Sequence, residues 1–279
     1  MPFMHSARGL GPIKWISRKS RLTGNASEIA RVVASRPGGV VLESHGPVSE
    51  WARYSIYAMR PIREIVVRQG DGQDPLRILN DTVRPMGGFD ATTELPYIAG
   101  WIGFLSYEAG RFAEPRVVDR AAMETPLAVW RLYDGCIVHD RLRDEWSVAV
   151  ADLSAHSGTR TMALESRLDE LEQVVIESTT RCAAFVRRGD SAGSWNISQR
   201  EYLLMVERAL EYIRAGDIFQ VNLARRLRID LGATPIDIYE TLCRTNPAAF
   251  AAYIPIGGSE TDGAVLSSSP ELFLSLRDG

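Results

Sequence analysis

The chain has no apolar run long enough to cross a bilayer: its longest, such as YIAGWIGFL at 97–105, falls well short of the roughly 20 residues a spanning helix needs. Its start, MPFMHSARGLGPIKW, has neither the apolar core nor the small-residue cleavage site of a secretory signal, so the cytoplasm is the expected location. Cysteine is scarce. The three present, Cys136, Cys182 and Cys243, are odd in number and far apart, which argues against a disulfide framework or a zinc cluster. They are expected to be small buried hydrophobes in a reducing compartment. A basic excess is missing too: a formal charge of -3 and a pI near 5.9 give no electrostatic reason to expect nucleic acid or an anionic membrane as partner. A small molecule fits this composition better.

What is present suits a globular protein. With 279 residues, 45% of them hydrophobic and 24% charged, the chain can bury a sizeable core. NASEIARVVASRP reads as a helix capped by Asn25 and Glu28 and stopped by Pro37. GGVVLES reads as a strand that runs into the polar loop HGPVSEWARYS, and REIVVRQG as a second strand. The glycines and aromatics of YIAGWIGFLSYEAGRF suggest close backbone packing at a bend in a sheet. Two apolar stretches around RLRD predict a hairpin, and Leu164, Leu168, Leu171 and Val175 mark an amphipathic helix.

The tract 187–195, RRGDSAGSW, reads as a linker. After it, a capping box of Ser198 and Glu201, a stripe of Tyr202, Val206, Leu210 and Ile213, and Gly216 outline another helix. Thr234, Pro235 and Pro247 bracket a further one. Strands are expected from AAFAAYIPI and AVLSSSPELFLSL, joined by the turn GGSETDG. Together these elements make an α+β fold, an antiparallel β-rich core with helices outside.

Two segments carry candidate chemistry. GDIFQVNLARRL, at 216–227, alternates as a strand would, which places Gln220 and Asn222 on one face and Phe219, Val221 and Leu223 on the other. Such amides orient a polar ligand, or they satisfy neighbouring main chain or face water. Glu271 follows Pro270 inside an otherwise apolar strand, where a carboxylate is costly unless it is exposed, paired or used. Periodicity does not choose between these readings.

The motifs GDIFQVNLARRL, NPAAFAAY and VLSSSPELFL, in that order, together with VVLES, ARYSIYAMRP and AGWIGFLSYEAGRF upstream, resemble the chorismate-utilising enzymes. That family includes component I of aminodeoxychorismate synthase and of anthranilate synthase, and the short gap between LES and WARYS is closer to the former. The resemblance implies an N-terminal region of anthranilate synthase component I type over 1–190 and the start of the chorismate-binding region over 195–279. It implies amination of chorismate to 4-amino-4-deoxychorismate, a folate precursor, with ammonia from a glutamine amidotransferase subunit. Glu271 matches the family's acid/base glutamate.

Ser44, Trp51, Ala52, Arg53, Tyr54, Ala249, Phe250 and Ala251 match positions that bind tryptophan in relatives. Each also has an ordinary reading: Ser44 capping a turn, Arg53 paired with Glu50 or Glu43, Trp51 in a core. Gln220 and Asn222 are expected to support the chorismate pocket. The sequence stops at SLRDG, before the family's PIKGT or PIAGT motif and the later ligands for magnesium. No metal ligand is therefore expected in these residues, and these residues alone are expected not to turn chorismate over. Two other readings stand beside this one: anthranilate synthase component I, and a non-catalytic module that binds tryptophan or an amidotransferase.

Overall fold

The computed structural model of the chain describes residues 12–20, 24–83, 89, 93–114, 125–157, 162–178, 193–230, 232–257 and 262–275. Cys182, most of the tract read as a linker, and the middle of the turn GGSETDG lie outside the described residues. One compact unit draws on residues within 1–183 and 234–279, and a second on residues within 184–233.

In the first unit the elements are β1 (Trp15–Lys19), α1 (Ala26–Ala34), β2 (Val40–Glu43), β3 (Tyr54–Ala58), β4 (Arg63–Val67), α2 (Pro75–Val83) and β5 (Gly100–Leu105). They continue through β6 (Ala128–Tyr133), β7 (Gly135–Asp140), β8 (Glu145–Ala151), α3 (Ser154–Ser157) and α4 (Leu164–Ser178). The second unit holds β9 (Ser194–Trp195), α5 (Gln199–Ala215) and β10 (Leu227–Arg228). The chain then returns to the first unit as α6 (Pro235–Thr245), β11 (Phe250–Pro255) and β12 (Ala264–Ser269).

Seven strands of the first unit form one sheet in the order β1-β8-β7-β3-β2-β11-β12, with every neighbouring pair antiparallel. A second antiparallel sheet runs β4-β6-β5. Strand alternation divides the faces of the large sheet. Val41, Tyr57, Ile137, Val148, Val150, Ala251 and Tyr253 meet α1, α4 and α6 on one side. Cys136, Val138, Ala149 and Ala151 point the other way and pack with Leu132 of β6 and Trp101 of β5. Both faces are covered, so the central strands are apolar on both sides rather than alternating with polar residues.

The helices follow their local signals. Asn25 caps α1 by accepting from the Glu28 main-chain N–H, and Ser198 and Glu201 close a reciprocal capping box on α5. α5 ends at Gly216 with φ of 80°, a left-handed conformation suited to glycine. Thr234 caps α6 just before Pro235. Leu168, Leu171 and Val175 of α4 are buried, each contributing roughly 1.5–3 kcal/mol of apolar burial. Gly39, between α1 and β2, lets the chain turn tightly: a Cβ there would lie 1.8 Å from the Val33 carbonyl oxygen.

Four sequence expectations need correction. The stretch before the first helix, expected to be irregular, contains β1, which pairs along β8. The loop from His45 runs only to Arg53, because Tyr54–Ala58 is the central strand β3, paired on both edges. GDIFQVNLARRL is no strand: only Leu227–Arg228 pairs, against β9, and Phe219 is 93% exposed. A period of two in side-chain polarity makes a strand only where another strand offers main-chain partners. The last strand likewise stops at Ser269, leaving Pro270 to Ser275 irregular and exposed.

Candidate functional site

β2, β3 and β11 lie side by side, and their register aligns rows of side chains across one sheet face. Leu42 stands opposite Ile56 on one side and Ala252 on the other. Two residues further along, the same alternation lines up Tyr54, Ser44 and Phe250. The Ser44 Oγ sits 2.9 Å from the Tyr54 carbonyl oxygen and 2.8 Å from that of Ala249, so its single proton is shared between the two neighbouring strands. Over these rows lies a cavity of about 440 Å³, also bordered by Glu43, Glu50, Trp51, Leu272 and Ser275.

The cavity brings together Ser44, Trp51, Tyr54, Ala249, Phe250 and Ala251, all expected from the sequence. Ala52 and Arg53 are not on its wall. Ala52 is buried and its carbonyl accepts from Arg141 at 2.6 Å. Arg53 turns to Asp140, donating from Nε at 3.0 Å and from Nη2 at 2.6 Å, rather than to Glu50 or Glu43. That guanidinium, with main-chain donors from Arg143 and Leu142, holds the Asp140 carboxyl below the usual carboxylate range. Trp51 is 58% exposed and lines the cavity without belonging to the core.

Sequence reasoning passed over Glu43. By alternation it points from β2 to the helix side, and it is buried. Tyr57 donates to its Oε1 at 2.8 Å and Tyr239 of α6 to its Oε2 at 3.1 Å. The ring of His45 reaches Oε2 at 3.2 Å, and Cys243 of α6 completes a group whose ligand-capable atoms all lie within 4.8 Å of one another. Hydrogen bonds with Cys243 and Glu43 raise the His45 imidazole to about 9. Burial pushes the Tyr57 and Tyr239 phenols up. The available signal was an acid in phase with Val41 on a strand buried on both faces. Two of its partners, Tyr239 and Cys243, lie roughly 200 positions away, beyond the reach of local pattern.

The other expected site residues stand apart. Glu271 is exposed just beyond β12, not buried among apolar neighbours, although the next residue, Leu272, borders the cavity. Gln220 and Asn222 are exposed on the irregular segment of the second unit. No helix among the described residues is long and apolar enough to cross a membrane.

The family described as chorismate binding enzyme matches residues 42–279. The chain is 28% identical over 267 residues to aminodeoxychorismate synthase component 1 of Bacillus subtilis, covering 90% of this chain and 54% of that protein. It is 24% identical over 261 residues to anthranilate synthase component 1 of Acetivibrio thermocellus, covering 86% and 52%. Among solved structures, anthranilate synthase component I from Streptococcus pneumoniae superposes with a TM-score of 0.62 at 26% identity, over 84% of this chain and 54% of that one. The chain thus spans about half the length of the relatives it matches. From the family match over most of its length, the chain belongs to the chorismate binding enzymes.

Proposed function

We propose that the chain serves component I of an aminodeoxychorismate synthase, which replaces the 4-hydroxyl of chorismate with an amino group. The single observation that carries this reading is the match to chorismate binding enzymes over 42–279, joined to the likeness to the Bacillus subtilis aminodeoxychorismate synthase component. The ammonia comes from a glutamine amidotransferase subunit. The N-terminal region, 1–190, and the chorismate-binding region, from 195 onward, divide the work as in such enzymes. Chemically, the reaction must deliver a proton to the departing hydroxyl so that it leaves as water. Glu271 is the residue assigned to that transfer, and Gln220 and Asn222 support the pocket.

Magnesium, implied by the family resemblance, takes hard oxygen ligands. Among the described residues the one close group of potential ligands is Glu43, His45 and Cys243, and its thiol and imidazole do not suit that ion.

Tryptophan is the proposed occupant of the cavity over β2, β3 and β11. Phe250 and Trp51 provide apolar walls, the Ser44 hydroxyl a polar anchor, and Glu50 a carboxylate for an ammonium group. A second reading, anthranilate synthase, is favoured by the Acetivibrio thermocellus relative and the Streptococcus pneumoniae structure. Incubation with chorismate, magnesium and ammonia, followed by chromatographic separation of the products, decides between the two. 4-Amino-4-deoxychorismate supports the proposal; fluorescent anthranilate replaces it with the second reading. Tryptophan binding by calorimetry with no turnover, also after extension with a relative's C-terminal half, leaves a binding module instead.

A further inference from the structure

We propose that Glu43, His45 and Cys243 form a site for a divalent transition-metal ion of the zinc class, held through carboxylate, imidazole and thiolate. The three potential ligand atoms lie within 4.8 Å of one another, and the His45 Nε2 to Glu43 Oε2 separation is 3.2 Å. Around a tetrahedral zinc with bonds of about 2.0–2.3 Å, neighbouring ligand atoms stand roughly 3.3–3.8 Å apart, so side-chain adjustments of about 1 Å close the site. The donor set selects the metal. A soft thiolate beside an imidazole favours zinc or cobalt(II) over magnesium or calcium.

The surroundings suit a metal on three further counts. Glu43 and His45 are two residues apart at the end of β2 and share a side, and the His45 main-chain N–H donates to the Ala248 carbonyl at 2.9 Å, which ties it to the segment just after α6. The hydroxyls of Tyr57 and Tyr239 orient the Glu43 carboxylate from behind, as outer-shell donors do for metal-bound carboxylates. Charge balances as well: carboxylate, thiolate and a divalent ion sum to zero in a buried place where, among the described residues, no arginine or lysine pairs with Glu43. On binding, the metal–sulfur bond replaces the thiol S–H and the metal–nitrogen bond replaces an N–H of the protonated imidazole, and both protons leave to solvent. The His45 side chain is 30% exposed and gives an entry path. Three protein ligands leave a fourth position to water or a small ligand.

Cobalt(II) titration of the 279-residue chain carrying Cys182→Ser tests this, with Cys243 as the thiol read, since Cys136 is fully buried against the small sheet. The expected result is one cobalt per chain, with a thiolate-to-cobalt charge-transfer band and tetrahedral visible bands, displaced by zinc and untouched by excess magnesium. Cys243→Ser removes the charge-transfer band. Tyr239→Phe keeps the band but weakens affinity about 10–100-fold. Circular dichroism verifies each variant's fold. If Cys243→Ser fails to fold, His45→Gln, at a partly exposed position, must itself abolish the tetrahedral bands. Absence of a band at stoichiometric cobalt, or its persistence in Cys243→Ser or His45→Gln, overturns the proposal.

Discussion

Arg131 is fully buried on β6, yet its guanidinium is not idle. It donates to the carbonyls of Pro255 at 2.6 Å and Gly257 at 2.9 Å, and it pairs with Glu64 of β4. It thereby ties the end of β11 to the small sheet. Arg131→Met removes every donor while keeping volume, leaving these carbonyls and Glu64 without their partner, so the expected loss is about 3–5 kcal/mol in urea unfolding. A loss below about 1 kcal/mol would show that water replaces the guanidinium. Asp140 gives the pH dependence. Its folded-state pKa is depressed by Arg53, so its contribution is complete above the unfolded aspartate value of about 3.9 and is lost as pH falls through the folded value. Melting curves of the parent and Asp140→Asn are expected to differ most near neutral pH and to converge once pH falls below the depressed folded value; a constant gap would remove Arg53 as the cause. For Glu271, glutamine keeps the shape but cannot transfer a proton. In a chain extended with a relative's C-terminal half, Glu271→Gln should lower kcat by roughly 10² to 10⁴ with little change in substrate binding. Retention of more than about half the parent kcat sinks the catalytic role.

α5 shows how far local signals carry a helix without burial. Its capping box and left-handed glycine terminus are in place, but none of its residues is buried and Leu203, Leu204, Leu210 and Ile213 are exposed. Most helical stability in proteins comes from packing an amphipathic face, which caps and propensity alone do not supply. Hydrogen exchange is therefore expected to be fast over 199–228 and slow again in α6 and β11, whose Tyr239 and Tyr253 are buried together with α1. Ser198→Ala, which removes the cap, should speed exchange in the first turn of α5, in keeping with a loss of about 1 kcal/mol. Protection in α5 equal to that of β3 would mean that its apolar stripe is covered in solution.

Among the described residues the seven-stranded sheet ends at β1 on one side and β12 on the other. Just past β12, Phe273 is 99% exposed and Leu274 75% exposed. An open sheet edge beside exposed apolar side chains is a template for association. Sedimentation of the parent should show concentration-dependent self-association, and Phe273→Asp should reduce it while changing stability by no more than about 0.5 kcal/mol. Equal association in both would clear this edge of the role.

Helix ends, the amphipathic face of α4 and the β7 to β8 hairpin were all legible from residue order, because caps, periodicity and turn residues act within a few positions. The family motifs were legible for the same reason, and with them the cavity residues Ser44, Tyr54 and Ala249 to Ala251. Other features depended on which strand became whose neighbour. β3 became a central strand because β2 and β7 offered it hydrogen bonds, whereas the equally alternating 217–225 found no partner strand among the described residues. Arg53 left the expected pocket because Asp140 lies on the strand next to β3. Scattered cysteines argued against a metal cluster along the chain, yet α6 crosses the end of β2 and sets Cys243 beside Glu43 and His45. Contacts between residues 200 positions apart leave no local trace, and only the packing of helix against sheet decides them.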